Sequence, residues 1–232
     1  MREQKVLSTG GFPTIALRPA RGKLISFEGM DGSGKSTQIA LLASELRRFG
    51  ISVVLTREPG GTPLGETIRA LLLDLNNRGI HPTAELALMF ASRAQLVAKV
   101  IEPALRRGEW VLCDRFVDFS EAYQGGGRQL GSEIVLVMHQ ALLGGLTPDL
   151  TILLDHDIAE SVPRARTRSS TTEGKENRRL ENESRLFFKR VQQTFRQIAA
   201  RDKERVFVTD AMGPIDVIHD EIVSEVARLV FS

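Results

Sequence analysis

Between a short apolar run and an amphipathic one stands Gly29-Met30-Asp31-Gly32-Ser33-Gly34-Lys35-Ser36-Thr37, a complete G-x-x-x-x-G-K-[ST] pattern. Its glycines let the backbone curl so that successive N–H groups point at phosphate oxygens, and the helix opening near Lys35 adds the positive end of its dipole. Lys35 can reach the β and γ phosphates of a nucleotide. The Ser36 hydroxyl can take a magnesium position, because that ion prefers oxygen ligands shared with phosphates.

A loop that holds a nucleoside triphosphate leaves open what is done with it. A small-molecule kinase, a switch GTPase and a mechanical or DNA-processing ATPase all use one. A guanine-reading Asn-Lys-x-Asp motif is absent from the chain, and 232 residues leave little room for a motor and its sensor region. A kinase needs a second pocket for its acceptor and a lid that excludes water.

Both have candidates. Cys113-Asp114-Arg115-Phe116 ends an apolar run in an acid and a base. At a strand's carboxyl end, Asp114 would steer magnesium and Arg115 would bridge two phosphate groups with its planar fork, the alternative being a surface ion pair. In the helical pattern 83–107, Leu86, Phe90, Arg93 and Val97 fall on one stripe. An arginine inside an apolar face must find an acid, carbonyls or a ligand. Phe90 beside it is either plain core or an aromatic wall next to a reader of base edges. Arg57-Glu58-Pro59-Gly60-Gly61-Thr62 and Ser120-Glu121-Ala122-Tyr123-Gln124-Gly125 read as loops at strand ends, the second offering a ring and an amide.

The elements that position these groups alternate. Apolar runs at Leu24–Phe27, Ser52–Leu55, Trp110–Cys113, Thr151–Leu154 and Val206–Val208 predict strands of a parallel sheet covered on both faces. Helical patterns at 35–49, 64–73, 83–107, 131–143, 157–166, 180–200 and 214–230 supply the crossovers, the last with Ile215, Ile218, Ile222, Val226 and Leu229 on one stripe. The predicted class is α/β, in a single domain over 23–232, with residues 1–22 as a flexible extension that lacks the apolar core of a secretory signal. Residues 167–178 hold no large apolar side chain and predict a mobile surface loop. The window 164–190 carries a local charge of +5 within a chain of +2, so positive charge is concentrated there. In a chain that is nearly neutral overall, this basic stretch is a poor nucleic-acid patch.

Composition sets outer limits. Hydrophobic residues at 42% and charged ones at 26% exclude disorder throughout, and no run approaches the roughly 18 apolar residues of a membrane span. Cys113, the only cysteine, excludes an intramolecular disulfide and suits a reducing cytoplasm.

Taken in order, the phosphate loop, Thr56–Thr62, Phe90-Ala91-Ser92-Arg93-Ala94-Gln95, Asp114-Arg115-Phe116 through Ser120 to Gly125, and Pro148-Asp149-Leu150 resemble the bacterial thymidylate kinases, over a stretch from about Lys23 to the C-terminus. The resemblance implies transfer of the ATP γ-phosphoryl group to dTMP with Mg2+, in a three-layer P-loop NTPase fold with a mobile lid at about 164–180, usually as a homodimer. By motif position Gly29–Thr37 would bind ATP, Arg93 would read the thymine edge and Phe90 would stack on the ring. Arg115 would hold the acceptor phosphate, and Asp31 would bind the sugar 3′-hydroxyl or magnesium. Tyr123 would crowd the 2′ position, Ser120 and Gln124 would contact the base, and Arg57, Pro59 and Arg69 would complete the acceptor side. Glu58 would precede Pro59 in an extended or cis-linked geometry. Because loop position 32 is Gly32 rather than arginine, the extra catalytic arginine would come from Arg164, Arg166 or Arg168. The chain departs from the pattern in a longer lid insert, in Arg178 at a position expected to be acidic, in Phe116 where tyrosine is commoner, and in its N-terminal 22 residues.

Overall fold

The computed structural model describes residues 21–156, 178–181 and 183–230. Most of the N-terminal extension, the helical pattern 157–166, the stretch 167–177 and the three lid arginines Arg164, Arg166 and Arg168 lie outside the described residues.

Five parallel strands form one sheet in the order β2-β3-β1-β4-β5: β1 (Leu24–Glu28), β2 (Val53–Arg57), β3 (Trp110–Asp114), β4 (Leu150–Asp155) and β5 (Val206–Asp210). All five expected strands form, each extending one or two residues further toward its carboxyl end. The central three are closed on both faces, whereas the edge strands are half open, with Leu55 and Val208 each 46% exposed. Continuous apolar runs therefore overstated the cover at the two edges.

Helices α1 (Lys35–Arg48) and α9 (Ile215–Val230) cover one face, where Ile39, Leu42, Leu46, Ile218, Ile222 and Val226 pack on Ile25, Phe27, Leu112 and Ile152. Ile215 does not join them: it opens α9 and is exposed. The other face carries α2 (Pro63–Leu73), α3 (Pro82–Leu96), α4 (Glu102–Arg106), α5 (Val117–Ser120), α6 (Ser132–Leu143) and α8 (Arg185–Arg201). The short helix α7 (Arg178–Glu181) precedes α8, so the single helix expected over 180–200 is broken before Ser184, whose side chain caps α8 by accepting from Phe187 N. Residues Val97–Ile101 join α3 to α4 as a wide π turn, which keeps the predicted 83–107 pattern nearly continuous.

One expectation fails outright. Ser120–Gly125 is not a loop: α5 runs directly into a wide π-helical segment, Glu121–Gly127. Its glycines signal close packing instead. A Cβ on Gly126 would lie 2.0 Å from Thr194 Oγ1, and one on Gly127 would lie 2.5 Å from Phe187. Small residues there let α8 approach.

The strand order places the chemistry. Strands β1 and β3 are adjacent, with Phe27 paired to Asp114, so the loop after β1 and the Asp114–Arg115 step after β3 emerge side by side. The chain leaves β1 toward β2 and β3 on one side and β4 and β5 on the other, which opens a crevice at the carboxyl ends.

Candidate active site

Gly29 adopts φ +132°, where a Cβ would meet Leu154 O at 2.5 Å, and Gly34 adopts φ +91° at the N-cap of α1. Only glycine suits either position. The loop they shape is closed by its own lysine, because Lys35 Nζ donates to Gly29 O and Met30 O, both at 2.9 Å. Burial, and next the charge of Arg115, pull the Lys35 pKa below its ordinary value against the opposing Asp114, Asp31 and Glu28. Ser36 lies exposed in the first turn of α1.

Across from it, Arg115 holds φ +74°, a left-handed backbone that non-glycine residues adopt at a cost of about 1–3 kcal/mol. Its N–H donates to Phe27 O at 3.0 Å, its carbonyl accepts from Cys113 Sγ at 3.0 Å, and its guanidinium lies 4.2 Å from the Phe119 ring centre. That guanidinium forms an ion pair with Asp31 of the phosphate loop. Burial opposes the charges of both partners. Even so, Arg115 holds the Asp31 carboxyl below its usual range, and Asp31 raises the pKa of Arg115. The phosphate loop and Arg115 are thus joined by a direct contact.

At the end of β1, burial and then the nearby Asp118 push Glu28 well above the carboxylate range. Its Oε1 accepts from Phe116 N at 2.7 Å, which fixes the turn that aims Arg115. Asp114 Oδ1 is buried and has no hydrogen-bond partner among the described residues.

Arg93 is fully buried. Its Nε donates to Glu58 at 2.7 Å, and its Nη2 donates to Phe116 O at 3.0 Å and Ser120 Oγ at 2.8 Å. Nη1 has no partner among the described residues. Of the three partners left open, the structure supplies an acid, Glu58, and one carbonyl, that of Phe116, with the Ser120 hydroxyl beside them. Burial pushes Glu58 up to about 7 in spite of Arg93. Glu58 itself is placed by a cis peptide bond to Pro59 and by its N–H donating to Asp114 O at 2.9 Å.

A narrow cleft beside Arg115 is lined by Pro59, Arg69, Met89, Arg115, Phe119 and Gln124, with Leu72, Leu73, Glu85, Arg179 and Leu180 closing it. Four of the residues expected on the acceptor side, Pro59, Arg69, Arg115 and Gln124, meet there. Others stand elsewhere. Phe90 lies beneath its own Arg93, 4.7 Å from ring centre to guanidinium carbon, and its neighbour Met89 faces the cleft instead. Tyr123 is fully buried, stacked on Phe119 at 4.1 Å, and Phe119 takes the lining place. Arg57 points away and pairs with Glu66 at 3.0 Å, both half exposed. Ser120 lies under Arg93.

Sequence reasoning missed Glu85, Arg179 and Arg128, which meet as one buried cluster. Nothing local to Glu85 in the sequence announces partners some 40 and 94 residues away.

A phosphate-binding loop after β1, an arginine facing it across the crevice and a closed cleft for a second ligand define a P-loop phosphotransferase with two substrates. A family model described as thymidylate kinase matches residues 27–222. The chain is 44% identical over 207 residues, 89% of its length and 94% of theirs, to the thymidylate kinase of Pelobacter propionicus, and 45% identical over 207 residues, 88% and 98%, to that of Trichlorobacter lovleyi. The solved structure of thymidylate kinase from Ehrlichia chaffeensis superposes with a TM-score of 0.71 at 32% identity, covering 89% of this chain and 99% of that one. The chain belongs to the thymidylate kinase family.

Proposed function

We propose that this chain transfers the γ-phosphoryl group of ATP to dTMP, giving dTDP and ADP on the route to dTTP. The observation that carries the acceptor is a pair of buried, unused polar atoms. Arg93 Nη1 is a spare donor and Gln124 Oε1 a spare acceptor, a combination complementary to the carbonyl and imino N–H of a keto pyrimidine. Burying such atoms unpaired costs about 1–3 kcal/mol each, which ligand hydrogen bonds would recover.

In this reading Gly29–Thr37 wrap the ATP phosphates, and Lys35 leaves the carbonyls of Gly29 and Met30 to meet the β and γ oxygens. Arg115 bridges the acceptor phosphate and the transferring group. An acceptor phosphate oxygen forms a bond to the γ phosphorus as the bond to the β-phosphate bridging oxygen breaks, so no group on the protein is covalently modified. Asp31 keeps one carboxylate oxygen on Arg115 and offers the other to the acceptor sugar. Met89 and Phe119 line the cleft as apolar walls. An arginine among Arg164, Arg166 and Arg168 completes the charge around the transferring phosphoryl group.

Magnesium fits the donor set. Asp114 offers a buried unpartnered carboxylate oxygen and Ser36 a hydroxyl, while no group of three or more acidic, histidine or cysteine side chains arranged to hold a metal ion occurs among the described residues. That suits an ion carried in with phosphates and neutralising them, rather than one held in a cage of side chains.

The decisive assay is a nucleoside-monophosphate panel with Mg-ATP. Phosphorylation of dTMP at a kcat/KM well above that of AMP, CMP and GMP is expected, and dTMP performing no better than these overturns the reading.

We further infer a homodimer. Helix α3 packs between α2 and α6, and all three leave apolar side chains outside: Leu64 and Leu71 on α2, Ala84, Ala87 and Ala91 on α3, and Val137 and Leu142 on α6. Exposed apolar patches of this kind mark interfaces, and a second copy of the same face is the partner that a symmetric assembly supplies. A cytoplasmic location fits the lone buried Cys113 and nucleotide substrates. No helix among the described residues is long and apolar enough to cross a membrane.

A further inference from the structure

Glu85 stands in the first turn of α3, 1% exposed, and is surrounded by donors. Oε1 accepts from Gln124 Nε2 at 2.9 Å and Arg128 Nε at 3.1 Å, and Oε2 accepts from Arg128 Nη2 at 3.0 Å and Arg179 Nη2 at 2.6 Å. Burial alone would raise its pKa. The hydrogen bonds from Arg128 and Gln124 and the two guanidinium charges outweigh burial and hold the carboxyl below its ordinary range. It is therefore ionised and can only accept hydrogen bonds.

An amide side chain has two faces that differ in hydrogen bonding but hardly in shape. Left to itself, Gln124 could present either its NH2 group or its carbonyl to the cleft. Facing an acceptor-only carboxylate, the NH2 group must turn toward Glu85, since the flipped amide would set two oxygens against each other. The carbonyl Oε1 is then the atom left over, buried and without a partner among the described residues, in a side chain that is 1% exposed and lines the acceptor cleft.

We propose that Glu85 is a positioning residue that sets base specificity by fixing which end of the Gln124 amide meets the acceptor. It touches the base only through Gln124. With Oε1 presented, the cleft accepts a base whose ring nitrogen carries a hydrogen, the imino group of a keto pyrimidine. It rejects cytosine, whose corresponding nitrogen has a lone pair in the same place. The Arg128 and Arg179 contacts keep the carboxylate charged and centred, so the orientation does not depend on ligand. This inference rests on the dTMP kinase reading above.

The test compares dTMP with dCMP as acceptors in steady-state kinetics on the full chain. Glu85→Gln replaces the carboxylate with an amide that can itself donate to Gln124, which frees Gln124 to turn over. The expected result is a fall of about tenfold or more in the ratio of kcat/KM for dTMP over dCMP, arising mainly from a higher dTMP KM, with the KM for ATP unchanged. Glu85→Asp keeps the charge but withdraws it by one methylene. It is expected to lose discrimination less severely, and it stands as the readout if Glu85→Gln fails to fold. In a Gln124→Leu background the Glu85 substitutions are expected to leave the ratio unmoved, a result that a general scaffolding role would not produce. Equal losses for both acceptors, a matching rise in the ATP KM, or additive effects with Gln124→Leu overturn the proposal. Failure of the wild-type chain to favour dTMP over dCMP instead overturns the functional reading on which it rests.

Discussion

Lys35 donates to two carbonyls of its own loop, so it is accommodated by the fold without a nucleotide. On the proposed function, its removal takes away a cation for the phosphates but leaves α1 and the sheet intact. Lys35→Ala is expected to reduce kcat by at least about a hundredfold while thermal melting shifts by no more than a few degrees; collapse of the melting transition would make the side chain structural. At this scale the sequence was most legible where chemistry is local. The glycine-lysine loop and the Asp-Arg step declare themselves within a few residues, because each is a contiguous stretch at the end of a strand, β1 and β3, that the structure sets side by side. Arg93 announced only that it needed a partner. The identity of that partner, Glu58 at 35 positions' remove, depended on how β2 and α3 are set against β3. Phe90 and Met89 are both buried, and a one-residue step around α3 sets Phe90 against Arg93 and Met89 against the cleft.

Among the elements, the stretch Val117–Gly127 was the least legible. Three successive glycines ordinarily mark a turn, since glycine carries the largest conformational entropy penalty in a helix. Here contact with α8 overrides propensity, and the missing side chains are what permit the contact. Gly126→Ala would drive a Cβ into Thr194 Oγ1 at 2.0 Å and Thr194 Cβ at 2.9 Å. A loss of about 1–3 kcal/mol in chemical denaturation is expected, with weakened acceptor binding because Gln124 shares the segment; unchanged stability would show that α8 can withdraw freely. The strands, by contrast, were legible from their apolar runs, each ending one or two residues later than expected. Their near-continuous apolar runs follow from helices on both faces, a condition met fully by β1, β3 and β4 and only partly at the edges.

For the molecule as a whole, predictions on pH dependence and assembly rest on two groups of α6, His139, which meets Phe116 edge-on at 6.1 Å, and the exposed Val137. Burial, and next the positive charge of Arg93, lower the pKa of His139 from 6.5 to about 4. The native state therefore keeps this ring neutral while the unfolded chain takes up a proton. The stability it contributes is complete above about pH 6.5 and is lost as pH falls toward 4. Denaturant titrations across that window should show His139→Gln losing on the order of 2–3 kcal/mol less than the wild type, and parallel losses would refute the assignment. Placing a charge on the exposed face of α6, as in Val137→Glu, is expected to convert a dimer to a monomer in light scattering at micromolar concentration. A wild type already monomeric there would remove the dimer. Topology was legible at this scale only as a class. Alternating strands and helices imply a parallel sheet, but the insertion of β3 between β2 and β1, which brings Arg115 beside the phosphate loop, is written in no single segment.

The unusual backbone at Arg115 has a consequence for how this family member can vary. Because φ +74° rather than side-chain packing alone directs the guanidinium toward Asp31, the direction of the cation belongs to the peptide chain around it. A β-branched replacement would fight that conformation, and a lysine would inherit the aim without the fork. Divergence at this position is thereby hemmed in twice, by main-chain geometry and by anion recognition, and neighbours such as Phe116 and Glu28 are tied to it as custodians of a bend rather than as participants in phosphoryl transfer.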